Sequence, residues 1–588
     1  MELARRRHFA TRGRQLLGIE DELFGEHAID LGEGAGINGQ GALISALETA
    51  RSGRLTDIVA TIQAEQDEII RAPLPGVMVV QGGPGTGKTV VALHRAAYLL
   101  YTHRFPLADQ GVLVVGPNRL FLAYIEQVLP SLGEAGVELV VLPDLVDDVM
   151  VRGGDVPKTG RVKGDARMSK VLAKAVRDRK RPLRQDLRVG VGLQTLTLGA
   201  ERSGSIVRDA RRRFRNHNAG RRFVEQEVAR ALAESSRAPI DGSGLWGQIR
   251  KHPDVVEALE RMWPVLTPAQ LLHDLFGSRA LLRLAGAGLL DDHEIEALHR
   301  PRSERVGAVV WTRDDVPLLD EARALLGPKP RKRRRDEDEI RTYGHIVVDE
   351  AQDLSPMQLR MLARRSLNGS MTVVGDIAQS TGAWAHADWS EILTYLPEQR
   401  PARHEELTIG YRIPAPNMEL AARVLAASAP ELTPPRSVRQ DGRPPRVRGV
   451  ASRQDLPAAV VEAVRIEVDA VGTGNVAIIC PTSATDVLSE TLIAAGIPHG
   501  RAIDQGLDHQ VTIVPVSLVK GLELDGTVVV DPDAILAEEA QGLRALYVAL
   551  TRATKLLSVV HVGDLPDVLA HPVTQADRPV PERSAGVA

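Results

Sequence analysis

One short segment of this chain, Gly82–Thr89 with the sequence GGPGTGKT, restricts the fold more than any other. An apolar run, Val77–Val80, precedes it, and a helix-like pattern, Val90–Leu100, follows it. A strand, a glycine-rich loop and a helix in this order form a P-loop, whose backbone N–H groups surround phosphate at the positive end of the helix. The segment therefore predicts an α/β domain that binds a nucleoside triphosphate. The residues expected to contact it are Gly82, Gly83, Pro84, Gly85, Thr86, Gly87, Lys88 and Thr89.

Two side chains of this loop have expected chemical roles, and they need a partner strand. Lys88 is expected to reach the β- and γ-phosphates, and the Thr89 hydroxyl to hold Mg²⁺. The partner strand should end in a carboxylate, and Ile346–Val348, followed by Asp349 and Glu350, meets this requirement. We expect Asp349 to hold Mg²⁺ through water and Glu350 to orient and polarise the attacking water.

Composition limits the class of protein. The chain has 588 residues, too many for one hydrophobic core, so we expect several domains. No apolar run approaches the roughly 20 residues of a membrane helix, and the N-terminus lacks the apolar run of a signal peptide. The single cysteine, Cys480, excludes an internal disulfide and is expected to be a buried thiol at the end of a strand. We expect a cytoplasmic protein without a membrane partner, and a monomer, since nothing in the sequence requires a dimer.

Short apolar runs that alternate with helical patterns form two groups. Runs that are apolar on both faces and joined by helices indicate buried parallel strands, and so two α/β regions. The first group is Val77–Val80, Val112–Val115, Ile346–Val348 and Thr372–Val374, and the second is Val476–Ile479, Ile513–Val516, Thr527–Val530 and Leu557–Val560.

The alternation stops between residues 145 and 343, which are rich in Arg, Ala and Leu and are expected to form a mostly helical insertion in the first α/β domain. The predicted domains are a lead-in packing on the first α/β domain (1–55), that domain in two parts (56–144 and 344–398) around the insertion (145–343), a second α/β domain (399–572) and a disordered tail (573–588).

Residues 349–353, DEAQD, are more specific than a carboxylate pair alone. With the P-loop they resemble the superfamily 1 helicase-type ATPases of the UvrD/Rep kind, and most closely the HelD family of RNA polymerase recycling ATPases. Matching segments follow in the family's order from about Ile58 to Thr554. The resemblance implies two RecA-like P-loop motor domains with parallel sheets, a large mostly helical insertion in the first, and ATP with Mg²⁺ as ligands.

The other matching segments carry residues expected around the nucleotide. Gln66 falls where the family's Q motif reads adenine, and Gln379, in Gly375–Gln379, falls where motif III senses the γ-phosphate. Tyr411 and Arg412 resemble motif IV, in which the tyrosine stacks on the base and the arginine reaches the γ-phosphate.

Two further segments complete the resemblance. Lys520–Glu523 resembles motif V, with Gly521 and Glu523 near the ribose, and Arg552 falls at the arginine finger of motif VI. Fixed arginines lower the barrier because charge develops on the γ-phosphate during transfer. If Arg412 and Arg552 come from the second domain, hydrolysis requires the two domains to close.

The motifs that bind nucleic acid are less complete. Single-strand translocases need aromatic platforms for stacked bases, but Gly382 stands where the UvrD pattern has a tyrosine, and Trp384 remains. Gly116–Arg119 replaces motif Ia, and Ser517 stands where a histidine opens motif V. We interpret Trp384 either as a base-stacking residue or as a core or interface residue.

The segment Arg152–Arg222 contains far more basic than acidic residues. It is expected either to neutralise phosphates of DNA or RNA or to be a solvated helical surface. HelD proteins have an insertion at the place of residues 145–343 that reaches the main channel of RNA polymerase. They normally begin with a long antiparallel helical hairpin, and this chain shows no heptad pattern for one, so it is either a shortened variant or begins further upstream.

The sequence leaves three functions open. The first is a HelD-like motor that remodels or recycles RNA polymerase by ATP-driven closure of its motor domains. The second is a 3′→5′ DNA helicase or translocase of the UvrD/Rep type, and the third is an ATP-gated binding module with little mechanical output. The incomplete aromatic track and the insertion favour the first, whereas the motor motifs and the basic segment favour the second.

Overall fold

The computed structural model describes residues 5–12, 15–23, 64–117, 122, 136–146, 149–237, 242–329, 340–502 and 509–570. The chain divides into two compact units, Met1–Ala64 and Glu65–Ala588. In the first unit, strands β1 (Arg5–Arg12) and β2 (Gln15–Leu23) pair antiparallel. The remainder of the predicted lead-in and the predicted tail lie outside the described residues.

The second unit alternates strands with helices. Its strands are β3 (Val77–Gly82), β4 (Val112–Val115), β5 (Val137–Val140), β6 (Val151–Gly153), β7 (Leu187–Val191), β8 (Gln194–Leu198), β9 (Trp311–Thr312), β10 (His345–Val348), β11 (Met371–Gly375), β12 (Arg403–Leu407), β13 (Ile409–Gly410), β14 (Arg436–Ser437), β15 (Arg446–Val450), β16 (Val476–Cys480), β17 (Gly500–Arg501), β18 (Val511–Pro515), β19 (Leu524–Val530) and β20 (Ala553–Val562). Its helices are α1 (Lys88–Thr102), α2 (Arg104–Gln110), α3 (Pro157–Gly164), α4 (Arg167–Arg177), α5 (Ala200–Arg213), α6 (Arg221–Glu234), α7 (Gly242–Ile249), α8 (Pro253–Met262), α9 (Pro268–Phe276), α10 (Arg279–Gly286), α11 (Asp292–Leu298), α12 (Val316–Leu326), α13 (Pro356–Ala363), α14 (Trp389–Leu393), α15 (Ala415–Ser428), α16 (Leu456–Val471), α17 (Thr485–Ala494), α18 (Pro532–Glu538), α19 (Gly542–Leu550) and α20 (Asp567–Ala570). Along the described residues, no helix is both long and apolar enough to cross a membrane.

The first motor domain is built on a parallel sheet in the order β12-β3-β11-β10-β4-β5. The four apolar runs predicted for this domain lie in β3, β4, β10 and β11 and are buried. This order places the carboxyl ends of β3, β11 and β10 side by side, where ligands of α/β proteins bind. The sheet also includes β12, so it extends past the boundary expected at residue 398.

The second motor domain has its own parallel sheet, in the order β15-β20-β19-β16-β18-β17. Its four predicted runs lie in β16, β18, β19 and β20, except that Val516 begins a 3₁₀ turn after β18. Cys480 ends β16 and is fully buried, and burial raises the pKa of its thiol to about 12. The predicted fold class, two RecA-like domains with parallel sheets, is confirmed.

The insertion has two hydrophobic cores. The inner core joins α3, α4 and α9 to α12, and it includes Met357 and Met361 of α13, which follows the Asp349–Asp353 segment. Ion pairs strengthen this junction, including Arg360 with Glu321 at 2.9 Å. The outer core joins the β7–β8 hairpin to α5 to α8 around the buried Trp263. The insertion is mostly helical, as predicted, and packs on the first motor domain.

A buried arginine on α1 fixes the segment that leads into the first sheet. Arg95 is only 1% exposed, and its guanidinium donates to backbone carbonyls between residues 69 and 73, at 2.6 Å for Ala72. Its Nε also donates to Thr372 Oγ1 on β11 at 3.0 Å. Arg95 thereby attaches the helical residues 64–71, which carry Gln66, to the sheet.

We expect Arg95→Met to lower the free energy of unfolding by about 3 kcal/mol or more, because several buried carbonyls would lose a charged donor. Urea unfolding followed by circular dichroism measures this loss. The matched control is Arg71→Met, whose exposed ion pair with Asp67 is worth about 0.5 kcal/mol. Equal effects of the two substitutions would contradict the role of Arg95.

Candidate active site

The P-loop segment connects a strand of the first sheet to a helix. β3 ends at Gly82, and α1 begins at Lys88. Gly85 and Gly87 have φ angles of +73° and +86°, in the left-handed region that glycine adopts without strain. The Lys88 ammonium donates to the carbonyl of Gly83 at 3.1 Å, so the lysine lies over the loop that is expected to hold phosphate.

A hydroxyl and a carboxylate meet beside this loop. Thr89 Oγ1 on α1 donates to Asp349 Oδ2, at the end of β10, at 2.7 Å. Burial, and then the charge of Glu350, raise the pKa of Asp349. A divalent cation held by these two residues would offset that cost, and Mg²⁺ commonly binds one or two carboxylates together with substrate phosphates. Thr89 and Asp349 therefore fit the predicted Mg²⁺ site.

Glu350 stands next to this pair in an unusual backbone conformation. Its φ is +50°, which is uncommon for a residue other than glycine and frequent at functional sites. Gln352 Nε2 donates to Glu350 Oε2 at 2.6 Å and orients the carboxylate. Burial raises the pKa of Glu350, but the cations of Lys520 and Lys88 outweigh it, so the net shift is downward. The carboxylate stays ionised, as a base that polarises water requires.

Gln379 joins the two motor domains. It lies in a 3₁₀ turn after β11, and its Nε2 donates to Asp376 Oδ2 at 2.7 Å. Its Oε1 accepts from Arg552 Nη2, which belongs to the second domain, at 2.8 Å. Lys520, also of the second domain, donates to the Gln379 backbone carbonyl. The second domain therefore contacts Gln379 twice: Arg552 binds the Gln379 side chain, and Lys520 binds the Gln379 backbone.

Arg552 follows α19 and lies half-buried beside Glu350 and Gln379. Its Nε donates to the Val548 carbonyl at 3.1 Å, which fixes the guanidinium direction. Burial lowers the pKa of Arg552, and the carboxylate of Glu350 opposes this shift. A guanidinium keeps its charge under such conditions. The predicted arginine finger thus lies on the cleft between the domains.

Tyr411 and Arg412 lie against the P-loop. The Tyr411 amide donates to the Gly85 carbonyl at 3.1 Å. A Cβ atom on Gly85 would lie 2.7 Å from Arg412 Cβ, so this close approach requires glycine. Arg412, which is predicted to reach the γ-phosphate, forms an ion pair with Glu523, which is predicted to lie near the ribose. Gly521, two residues before Glu523, has a φ of +76°.

Gln66 is half-buried in the helical residues 64–71. Its neighbour Glu65 accepts a hydrogen bond from the Thr408 amide at 3.1 Å, immediately after β12. The segment is thus attached to the connection between the two motor sheets, and adenine recognition by Gln66 stays a prediction.

Trp384 is half-buried and lies against the insertion. A Cβ atom placed on Gly164, at the end of α3, would lie 2.4 Å from Trp384 Nε1. The Arg161 guanidinium is 6.0 Å from the centre of the Trp384 ring. Of our two interpretations of Trp384, this contact fits the interface residue.

Two glutamines at the site were missed by the sequence analysis. Gln81, before the P-loop, donates to Asp376 Oδ1 at 3.0 Å and accepts from the Trp389 indole at 2.8 Å. Gln352 Oε1 accepts from the Asp376 amide at 3.2 Å, while its amide group holds Glu350. Gln352 lies within residues 349–353, and Gln81 directly precedes the P-loop. This proximity to the motifs was the sequence signal that could have identified them as site residues. Their bridging role requires β3, β10 and β11 to be neighbours.

Two segments match models of known families. Residues 331–399 match the model described as the UvrD/REP helicase N-terminal domain. Residues 510–560 match the model described as the UvrD-like helicase C-terminal domain. The first segment contains Glu350 and Gln379, and the second contains Arg552. The chain carries a UvrD-like helicase motor. Such domains imply a nucleotide-hydrolysing enzyme and suggest nucleic acid binding.

A solved structure is also similar to this UvrD-like motor. It is the crystal structure of the C-terminal domain of a possible DNA helicase from Lactobacillus plantarum WCFS1, with 24% identity and a TM-score of 0.23. The match covers 28% of this chain and 95% of that one. A search of curated proteins gave no match. The assignment to UvrD-like helicases therefore rests on the two family models.

Proposed function

We propose that this UvrD-like motor hydrolyses ATP with Mg²⁺ and remodels or recycles RNA polymerase, as HelD proteins do. The observation that supports hydrolysis is the meeting of Lys88, Glu350 and Arg552 at one cleft, with Arg552 contributed by the second domain. These are the cations and the carboxylate that phosphoryl transfer requires.

Each residue then has one task. Lys88 and the P-loop amides hold the phosphates, and Glu350 orients a water and accepts its proton. Bound Mg²⁺, held by Thr89 and Asp349, would neutralise charge on the phosphates. Arg552 and Arg412 stabilise the charge that develops on the transferred group. Both arginines follow β12 in the chain and so belong to the second domain. Hydrolysis therefore depends on closure of the second domain onto the first, with Gln379 at the junction.

The insertion and Trp384 support a protein as the target of this motor. An aromatic residue that stacks on bases must offer a free ring face, whereas Trp384 is in contact with α3 of the insertion. The insertion has its own outer core, which is suited to present a surface to a large partner. This arrangement supports a protein target such as RNA polymerase, in the cytoplasm.

A 3′→5′ DNA helicase remains the second candidate, and the basic segment supports it. Arg208 and Arg212 of α5 are exposed and could neutralise phosphates. Other basic residues of this segment have partners within the chain. Arg179 pairs with Asp274 at 3.1 Å, and Lys180 lies 4.7 Å from the centre of the Trp263 ring. Fewer cations are therefore available than the composition indicates.

Polymerase binding and stimulation by single-stranded DNA distinguish the two candidates. We expect the immobilised chain to retain bacterial RNA polymerase in an ATP-dependent manner. We also expect single-stranded DNA to leave the ATP hydrolysis rate unchanged, in wild type and in Trp384→Ala. Strong stimulation by DNA, lost in Trp384→Ala by about 1–3 kcal/mol of binding per stacked base, together with no retention of polymerase, would establish the helicase instead.

A further inference from the structure

One short segment, residues 378–386, contacts all three parts of the motor. It begins in the turn after β11 and ends before α14. Ala378 is buried in the core of the second domain together with Tyr547 of α19, although its neighbours in sequence belong to the first domain. A segment held in this way is displaced when the second domain moves.

Arg544 of α19 provides a second connection to the same segment. Its Nη1 donates to the backbone carbonyls of His386, at 2.9 Å, and Ser380, at 3.4 Å. These two carbonyls flank Trp384. The first domain holds the same two residues: Ser380 Oγ donates to the Gln352 carbonyl at 2.8 Å, and His386 Nε2 lies 2.8 Å from the Leu354 carbonyl. Ser380 and His386 are therefore shared between both motor domains.

Between these two points the segment contacts the insertion. Trp384 Nε1 and the Ser355 side chain both approach Gly164 so closely that a Cβ atom there would lie 2.4 Å and 2.7 Å from them. Ser355 caps α13, which follows the catalytic carboxylates. The end of α3 therefore lies against two elements that continue from the nucleotide site.

The Trp384 indole N–H is buried and has no hydrogen-bond partner among the described residues. An unpaired buried donor costs free energy, because it has given up its hydrogen bonds to water without replacement. The contact with α3 is therefore not the most favourable one available to this side chain. A small shift of the segment would therefore change the environment of this N–H group.

We propose that Trp384 is a positioning residue that transmits closure of the motor domains to α3, so that the insertion responds to the bound nucleotide. Arg544 sets the position of the segment, and Trp384 contacts the insertion. The inference rests on the proposed ATPase function, because it needs ATP as the signal. In a DNA translocase the tryptophan at this position would stack on a base. In this chain it contacts α3 of the insertion instead.

Hydrogen exchange of the full-length chain tests this transmission. Peptides covering residues 157–164 would be compared with and without ATP and Mg²⁺, and ATP binding would be measured in parallel with a fluorescent analogue. We expect ATP to change the exchange rate of α3 in wild type. We expect Trp384→Leu and Arg544→Met to bind ATP but to lose this change. Gly164→Ala, which forces Trp384 away from α3, should lose it as well.

Matched controls separate transmission from general damage. Trp246→Leu replaces a half-buried tryptophan in the outer part of the insertion, and Arg423→Met removes an arginine that donates to a carbonyl within the second domain, at 2.7 Å. Both controls should keep the response of α3. If wild type binds ATP without a response, or if all variants respond like wild type, the transmission is overturned and the ATPase is not. Absence of ATP binding by wild type would overturn both.

Discussion

Replacing Arg552 with alanine is expected to lower kcat for ATP hydrolysis by about 10³ to 10⁵, the range measured for arginine fingers. The guanidinium comes from the second domain, donates to Gln379 Oε1 at 2.8 Å and lies beside Glu350. Without it, the charge that develops on the transferred phosphoryl group loses a fixed cation in a buried cleft. ATP binding should persist, because Lys88 and the P-loop amides are unchanged.

Arg552→Lys makes this prediction sharper. Lysine keeps the positive charge but cannot form the planar, bidentate contact of a guanidinium. We expect it to recover little of the lost rate. Steady-state phosphate release measures the effect, with Arg423→Lys in the same domain as the control. Activity of Arg552→Ala within tenfold of wild type would falsify its role as the finger.

Glu350→Gln is expected to lower hydrolysis by about 10² to 10⁴, the usual contribution of a general base. The amide can still accept a hydrogen bond from Gln352, so the local structure is preserved. It cannot take a proton from water, and it removes the charge that Lys88 and Lys520 stabilise. The variant should therefore bind ATP and hold it without turnover.

Single-turnover hydrolysis and equilibrium binding together test this separation of binding from chemistry. Glu391→Gln is the matched control, since this carboxylate belongs to the same domain and is exposed. It accepts from the Ala387 amide at 3.0 Å and lies 3.4 Å from His386 Nδ1. It should leave the rate unchanged. Normal turnover by Glu350→Gln would mean that another group activates the water.

The strands that were found from the sequence are those buried on both faces. Such strands consist of continuous β-branched residues, as in Ile346–Val348, and this pattern is visible without a structure. β12 was missed because it reads RHEEL and is mostly exposed at the edge of its sheet, where it has no apolar pattern. The β7–β8 hairpin was missed within a segment whose composition indicated helices.

The same distinction holds at the site. The P-loop, Asp349 and Glu350 could be identified from the sequence because each motif is contiguous and its chemistry depends on residue type and spacing. Gln81, Gln352 and Arg95 could not, since each connects elements that are far apart along the chain.

The residues of this chain therefore specify, by local pattern, a phosphate-binding loop and its acidic partner strand. Folding brings the second domain onto them, with Arg552 on Gln379, and this depends on contacts across 173 residues of sequence. It also places Trp384 on the insertion. The sequence around a single tryptophan does not distinguish a base-stacking residue from a core or interface residue. The residues of α3 that contact Trp384, Arg161 and Gly164, are more than two hundred positions away in the chain.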